Sequence, residues 1–194
     1  MKTLDGIVAE AEFCPSPNFD NRPKNVNIDL FVIHAISLPE GSYNTQLIKD
    51  LFLNKLNPGN DKFLQSIEDL RVSSHFLITR SGNLIQFVPI HKRAWHAGKS
   101  NYQGRKNCND FSIGIELEGC DTDEFTSAQY KSLSNLISHI SVDLKINKKN
   151  LVGHNEIAPE RKTDPGPYFD WDLLKSMLWT KKYLEFYCLA LPRV

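Results

Sequence analysis

The sequence predicts one α/β domain, and three patterns support that prediction. Ile28–His34 (IDLFVIH) is a short apolar run of β-forming residues, which is typical of a buried strand. Phe111–Glu118 alternates apolar and polar residues and predicts a second strand. Thr126 begins a capping-box pattern with Gln129, and apolar residues at spacings of three and four follow, so a helix is predicted. With 194 residues, one domain can bury a core without disulfides or a structural metal.

Other elements are expected before and between these three. Residues 1–26 are rich in proline, asparagine and aspartate and predict an irregular N-terminal wrap. Asn44–Leu56 carries apolar residues on one helical face, and a shorter helix is expected near Phe63–Leu70. Ser74–Thr79 and Leu84–Val88 flank a turn sequence and therefore predict a β-hairpin.

The second half contains one long segment without a clear period. Ile90–Asn109 is polar, aromatic and glycine-rich, and twenty such residues inside a compact domain indicate a binding loop, in which Trp95 and His96 offer an aromatic surface. A short strand is expected at Leu151–Val152, and an aspartate at position 170 can cap a final helix. The catalytic core is thus expected at residues 27–178, followed by a C-terminal tail of unassigned role at residues 179–194.

Composition excludes several function classes. The formal net charge is zero, which argues against a general affinity for nucleic acid or for anionic membranes. No apolar run approaches the roughly 20 residues needed to span a membrane, and the first twenty residues lack a secretory pattern. The four cysteines form no C-x-x-C pair and are interpreted as buried or inert thiols rather than zinc ligands. A cytoplasmic protein is expected.

The stretch Leu151–Gly166 (LVGHNEIAPERKTDPG) has the strongest concentration of chemically active residues. Its prolines prevent one regular helix, so His154 and Asp164 can meet only through the path of a loop. Rigid polar loops with histidine, aspartate and lysine are often functional. A surface turn capped by Asp164 explains the stretch equally well at this point.

Five residues suggest a common chemistry. His34, His154 and Asp164 offer three N and O ligands, which is the number that catalytic zinc sites use. Glu116 lies mid-strand beside a glycine and is a candidate acid or base, although a solvated outer face of the sheet is the alternative. Lys162 faces the same side as Asp164 if that segment is extended, and a cation there would stabilise an oxyanion. Residues this far apart in sequence are, by themselves, weak indications of a metal.

Longer motifs carry more information than these spacings. They are NIDLFVIHAISLP, RVSSHFLITRSGNLIQFVP, KRAWHAG, NDFSIGIELEG and GHNEIAPERKTDPGP, in this order. Together they resemble the cytoplasmic 1,6-anhydro-N-acetylmuramyl-L-alanine amidases, which belong to the zinc amidase and peptidoglycan-recognition superfamily. The resemblance extends from about Val8 to Leu178. It implies a mixed central β-sheet flanked by helices, with a zinc site at one edge.

Carried over position by position, the resemblance implies a role for each of the five residues. His34, His154 and Asp164 would be the zinc ligands, Glu116 the general base and Lys162 the stabiliser of the transition state. Residues in segments that would line the substrate groove are Arg71, Trp95 and Arg161. The implied reaction is zinc-dependent hydrolysis of the lactyl amide between N-acetylmuramic acid and L-alanine. The implied partner is an anhydro-muropeptide from cell-wall recycling, and a monomer is expected.

Two departures and two alternatives accompany this interpretation. Ala35 and Asn107 stand where a polar residue and an arginine are common in the family, which affects expected contacts with the sugar and with the peptide carboxylate. The same chemistry on intact peptidoglycan, as in a lysin, is one alternative. A non-catalytic peptidoglycan sensor is the other, and the presence of all three ligand residues disfavours it.

Overall fold

A computed structural model describes residues 1–179, which contain twelve strands and several helices. The strands are β1 (Thr3–Leu4), β2 (Ile7–Val8), β3 (Glu12–Phe13), β4 (Phe19–Asn21), β5 (Leu30–Ile36), β6 (Phe76–Ile78), β7 (Leu84–Gln86), β8 (Lys92–Ala94), β9 (Asn101–Tyr102), β10 (Arg105–Lys106), β11 (Ser112–Glu118) and β12 (Leu151–Gly153). The helices are α1 (Thr45–Phe52), α2 (Lys62–Ile67), α3 (Ser127–Asp143) and α4 (His154–Ile157), with a 3₁₀ turn at Cys108–Asp110 and helical residues at 171–179. The expected tail lies outside the described residues from position 180 onward.

Six strands form the central sheet in the order β12–β5–β11–β6–β7–β3. Neighbours from β12 to β6 run parallel, β7 is antiparallel to β6, and β3 is parallel to β7. The prediction of one α/β domain with a mixed sheet and flanking helices is confirmed. The N-terminal segment is less irregular than predicted, because β3 extends the sheet edge and β4 pairs with β8. Strands of two or three residues are too short to show a period in sequence.

The helices begin at the predicted residues but two of them end earlier. Asn44 caps α1 by accepting the amide hydrogen of Gln46, and a left-handed residue at Asn54 (φ 57°) follows its end, so the helix is shorter than Asn44–Leu56. α2 likewise ends before Leu70. The capping box of α3 and the β6–β7 hairpin are both confirmed. None of the helices within residues 1–179 combines the length and the apolar composition that crossing a bilayer requires.

Alternate residues of β5 enter two different apolar clusters, one on each face of the sheet. Phe31 and Ile33 pack with α3 and with residues 174 and 178 of the last helical segment. Leu30 and Val32 pack instead with the loop that contains Ala97 and Cys108. A third cluster joins α1 and α2 to the β6–β7 end of the sheet. A side chain at position 34 therefore points to the face that the 96–111 loop covers.

Candidate metal centre

The proposed ligands come from the ends of two adjacent parallel strands and from a returning loop. His34 lies near the end of β5, and β12 delivers His154 as the first residue of α4, with Gly153 beside Ile33 in the sheet. The following loop brings Asp164 back, and its carbonyl accepts the amide hydrogen of Asn155 (2.9 Å). The alternative that this stretch is only a surface turn is thus wrong, because Asp164 reaches two buried histidines.

Three ligand atoms converge at one point. The Nδ1 atoms of His34 and His154 are 3.0 Å apart, and Oδ2 of Asp164 lies 3.3 and 3.1 Å from them. Tetrahedral zinc with bonds of 2.0–2.1 Å places its ligand atoms about 3.3 Å from one another. Both imidazoles are nearly inaccessible, with 1 and 3% of their residue surface exposed. Within residues 1–179, this group of ligand atoms fits a metal ion.

The charges in this group suit a cation. Burial is the main cause that lowers the pKa of His34 to about 4, so the imidazole is neutral at physiological pH. Burial disfavours ionisation of Asp164, but the adjacent side chains of His154 and His34 outweigh it and hold the pKa of Asp164 below the usual value. Metal binding requires neutral histidine and ionised aspartate. His34 and Asp164 are therefore in the protonation states that a metal needs.

Glu116 lies directly beside the ligands. It pairs in register with His34 across β5 and β11, so both side chains point to the same face of the sheet. All residues of β11 are buried, which rules out the solvated outer face as an explanation of its polar residues. Oε2 of Glu116 has no hydrogen-bond partner in the described part of the chain. Burial, and then the charge of Asp164, raise the pKa of Glu116 well above its usual value.

Lys162 contributes a positive charge to the same region. Its ammonium partly offsets the raised pKa of Glu116 and also contributes to lowering the pKa of His34. The side chain is exposed and lines a cleft of about 570 Å³ together with Pro159, Thr163 and Trp171. It is therefore accessible to a bound molecule, and its charge acts on the buried carboxylate.

The three residues assigned to substrate binding occupy different surroundings. Arg161 donates from Nη2 to the carbonyls of Ala97 and Lys99, and the same atom is 3.5 Å from Nε2 of His154. Trp95 is half-buried and precedes the loop residues that contact the ligands. Arg71 is exposed, and within residues 1–179 its hydrogen bonds and ion pair are all with nearby residues 68–70. The structure thus brings Arg161 to the site, whereas the described contacts of Arg71 are local.

Sequence reasoning missed the role of His96, which was interpreted only as an aromatic surface. Its ring is buried, and Nδ1 lies 2.9 Å from Nε2 of His34. Burial, followed by the nearby histidines, keeps the pKa of His96 well below its usual value. One sequence feature could have indicated burial of His96. It lies between Trp95 and the two small residues Ala97 and Gly98, which allow other parts of the chain to pack closely against it. Only the strand register shows that this ring lies behind a ligand.

Comparisons with known proteins point to one family. The family model for N-acetylmuramoyl-L-alanine amidases matches residues 24–167. The chain is 47% identical over 181 residues to the 1,6-anhydro-N-acetylmuramyl-L-alanine amidase AmpD of Citrobacter freundii, covering 93% of this chain and 97% of the relative. The crystal structure of a selenomethionine AmpD derivative superposes with a TM-score of 0.89 at 48% identity, over 92% of this chain and 99% of that one.

A more distant solved structure contains a ligand. It is the amidase AmiD of Escherichia coli in complex with the substrate anhydro-N-acetylmuramic acid-L-Ala-D-γ-Glu-L-Lys, with a TM-score of 0.58 and 31% identity. The match covers 81% of this chain and 60% of that protein. The similarity therefore includes an amidase whose bound substrate is chemically defined.

Proposed function

The chain belongs to the N-acetylmuramoyl-L-alanine amidase family, and on this basis we propose that it hydrolyses the lactyl amide of anhydro-muropeptides with zinc as cofactor. The bond is the one between (1,6-anhydro-)N-acetylmuramic acid and L-alanine, and the process is peptidoglycan recycling in the cytoplasm. The observation that carries the proposal is the convergence of His34, His154 and Asp164 beside the buried carboxylate of Glu116. A non-catalytic sensor would not require an unpaired carboxylate at that place.

In this proposal the three converging residues hold zinc through two imidazole nitrogens and one carboxylate oxygen. When bound, zinc would supply Lewis acidity, which polarises a carbonyl and brings the pKa of a water molecule towards about 7. The donor set of two nitrogens and one oxygen is one that zinc commonly accepts at catalytic sites. Because the protein already holds His34 neutral, binding needs no proton release from this imidazole at neutral pH.

Glu116 is the group that moves the proton. Its raised pKa makes the carboxylate a stronger base than a solvated glutamate, so it can take a proton from the attacking water. The same group then donates that proton to the alanine nitrogen as the carbon–nitrogen bond breaks. The products are the free lactyl carboxylate of the sugar and a peptide with a free amino terminus. One carboxylate thus serves both proton transfers.

Lys162 stabilises the negative charge that develops on the carbonyl oxygen. An ammonium group near a developing oxyanion contributes most where water is partly excluded. Two observations support this role: Lys162 lines the cleft, and its charge acts to lower the pKa of Glu116. Arg161 and Trp95 remain proposed contacts for the substrate, and Arg71 is the weakest of the three because its described contacts are local.

The test combines metal analysis with mass spectrometry of reaction products. Zinc-loaded protein should release a peptide that begins with L-alanine from anhydro-N-acetylmuramic acid-L-Ala-D-γ-Glu-L-Lys. Removal of zinc by a chelator should abolish the release, and added zinc should restore it. Unchanged turnover after zinc removal would refute the metal mechanism. Faster release from insoluble sacculi than from the soluble substrate would instead favour a lysin-like enzyme, and binding without products would favour a sensor.

A further inference from the structure

A chain of hydrogen bonds links His34, His96, Ser112 and the carbonyl of Cys108, and the donor and acceptor of each bond can be assigned. Oγ of Ser112 donates its single proton to the carbonyl of Cys108 (2.5 Å), so the hydroxyl must accept from Nε2 of His96 (3.2 Å). The proton of neutral His96 is therefore on Nε2, and its Nδ1 carries a lone pair. Both Ser112 and His96 are buried.

The direction of this chain determines the state of His34. Because Nδ1 of His96 is an acceptor, the atom 2.9 Å away, Nε2 of His34, must be the donor. A neutral His34 protonated on Nε2 has its lone pair on Nδ1, which is the atom facing His154 and Asp164. The carbonyl of Cys108 thus selects, through two side chains, the ligand atom of His34.

The absence of a side chain at Gly114 leaves room for the imidazole of His96. A Cβ atom on Gly114 would lie 2.4 Å from Cγ of His96, so only glycine fits at that position of β11. The amide hydrogens of His96 and Ala97 both bond to Oδ1 of Asn109 (3.1 and 2.8 Å), which fixes the loop. The carbonyl of Ala97 accepts in turn from Nε2 of His154 (3.3 Å). The same two loop residues therefore support both histidine ligands.

We infer that His96 is a positioning residue, which together with Ser112 holds His34 in the tautomer that binds metal through Nδ1 and so sets the metal affinity. Its side chain contacts His34 and Ser112, and it is not one of the three converging ligand residues. The inference rests on the proposed metal site and extends it, since neither residue belongs to the ligand set. Outer hydrogen-bond partners of metal-binding histidines typically contribute 10- to 100-fold to metal affinity.

The first experiment compares zinc affinities by competition with a chromophoric chelator. His96→Phe keeps a ring but removes the acceptor, and we expect zinc to bind about 10- to 100-fold more weakly. His96→Asn places an oxygen near the position of Nδ1, so it should recover most of that loss. His139→Phe is the matched control, because His139 bonds to Thr3 on another surface and should leave affinity unchanged. Equal affinities for wild type and His96→Phe would overturn the inference.

Two further measurements keep the test decisive if a His96 variant does not fold. Ser112→Ala removes the acceptor of His96 and should also weaken zinc binding, whereas an unchanged affinity would contradict the relay. Nitrogen-15 NMR of zinc-loaded wild type should show His34 protonated on Nε2, and zinc bound through Nε2 would refute the assignment. Failure of the proposed amidase function would give a different result from failure of this inference. The zinc-loaded wild type would then show no turnover, while the zinc affinities of the variants and the tautomer of His34 would still be as expected.

Discussion

Glu116→Gln should make the metal-free protein more stable while it removes catalytic activity. In the wild type, a buried carboxylate without a hydrogen-bond partner for Oε2 lies near the negative charge of Asp164. Glutamine has nearly the same shape but no charge, so the substitution removes both the burial of a charge and the repulsion. As the proposed proton carrier, Glu116 should contribute about 10²- to 10⁴-fold to turnover.

The size and sign of the stability change follow from proton linkage. The pKa of Glu116 is raised in the folded protein, so between its unfolded value, 4.5, and its folded value the native state binds more protons than the unfolded state. The free energy of unfolding then falls as pH rises through that interval, by up to about 1.4 kcal/mol per pH unit. The stability difference between Glu116→Gln and wild type should be small near pH 4 and should increase until the pH exceeds the folded pKa.

Urea denaturation in the presence of a chelator, at several pH values from 4 to 8, measures this difference. Glu118→Gln is the control on the same strand, because Glu118 is buried but accepts hydrogen bonds from Thr45 Oγ1 (2.7 Å) and the Arg80 amide (2.9 Å). That substitution should lower the free energy of unfolding by about 1–3 kcal/mol. A Glu116→Gln protein that is less stable than wild type at pH 8, or whose advantage does not depend on pH, would refute the reasoning.

Three other substitutions test separate parts of the site. Lys162→Ala should lower kcat by about 10²- to 10³-fold with zinc content unchanged by metal analysis, and a parallel loss of zinc would indicate a structural role instead. Gly114→Ala forces a Cβ against buried His96, so it should lower the free energy of unfolding by about 1–3 kcal/mol and weaken zinc binding, whereas wild-type values for both would contradict the packing argument. Arg161→Ala removes donors from two loop carbonyls and should lower the unfolding free energy by about 1 kcal/mol, while a raised KM at unchanged stability would support direct substrate contact.

The long, regular elements were predictable from sequence because each one has its own periodicity or capping signal. The capping box at Thr126, the strand ending near His34 and the hairpin around residues 80–83 are all where the sequence places them. β3 and β4 were not predicted, because two or three residues cannot show alternation, and their pairing partners lie more than 70 positions away. Tertiary pairing alone makes these segments strands.

Some side chains of the site could likewise be assigned from the sequence, and one could not. His34, His154, Asp164, Glu116 and Lys162 were assigned by resemblance. The fold brings the first three together at one point, pairs Glu116 with His34 across two strands, and lets the charge of Lys162 act on Glu116. His96 could not be assigned, because its importance depends on the register of β5 and β11, and no spacing in the sequence records that register. Two metal ligands at positions i and i+4 of a helix form a spacing that is visible in the sequence. Ligands on a sheet covered by a loop form no such spacing.

The arrangement of the site also explains why so many buried polar residues are tolerated at one end of the sheet. The polar groups of the chain behind His34 are each paired: the carbonyl of Cys108 accepts from Ser112, the hydroxyl of Ser112 accepts from His96, and Nδ1 of His96 accepts from His34. Buried polar chains of this kind stabilise one arrangement when every member is satisfied and are costly when one member is missing. On the other side, Nδ1 of His34 faces His154 and Asp164, and Oε2 of Glu116 has no hydrogen-bond partner within residues 1–179. The satisfied half therefore fixes the geometry, and the unsatisfied half is where a metal ion and a reacting water would gain the most from binding.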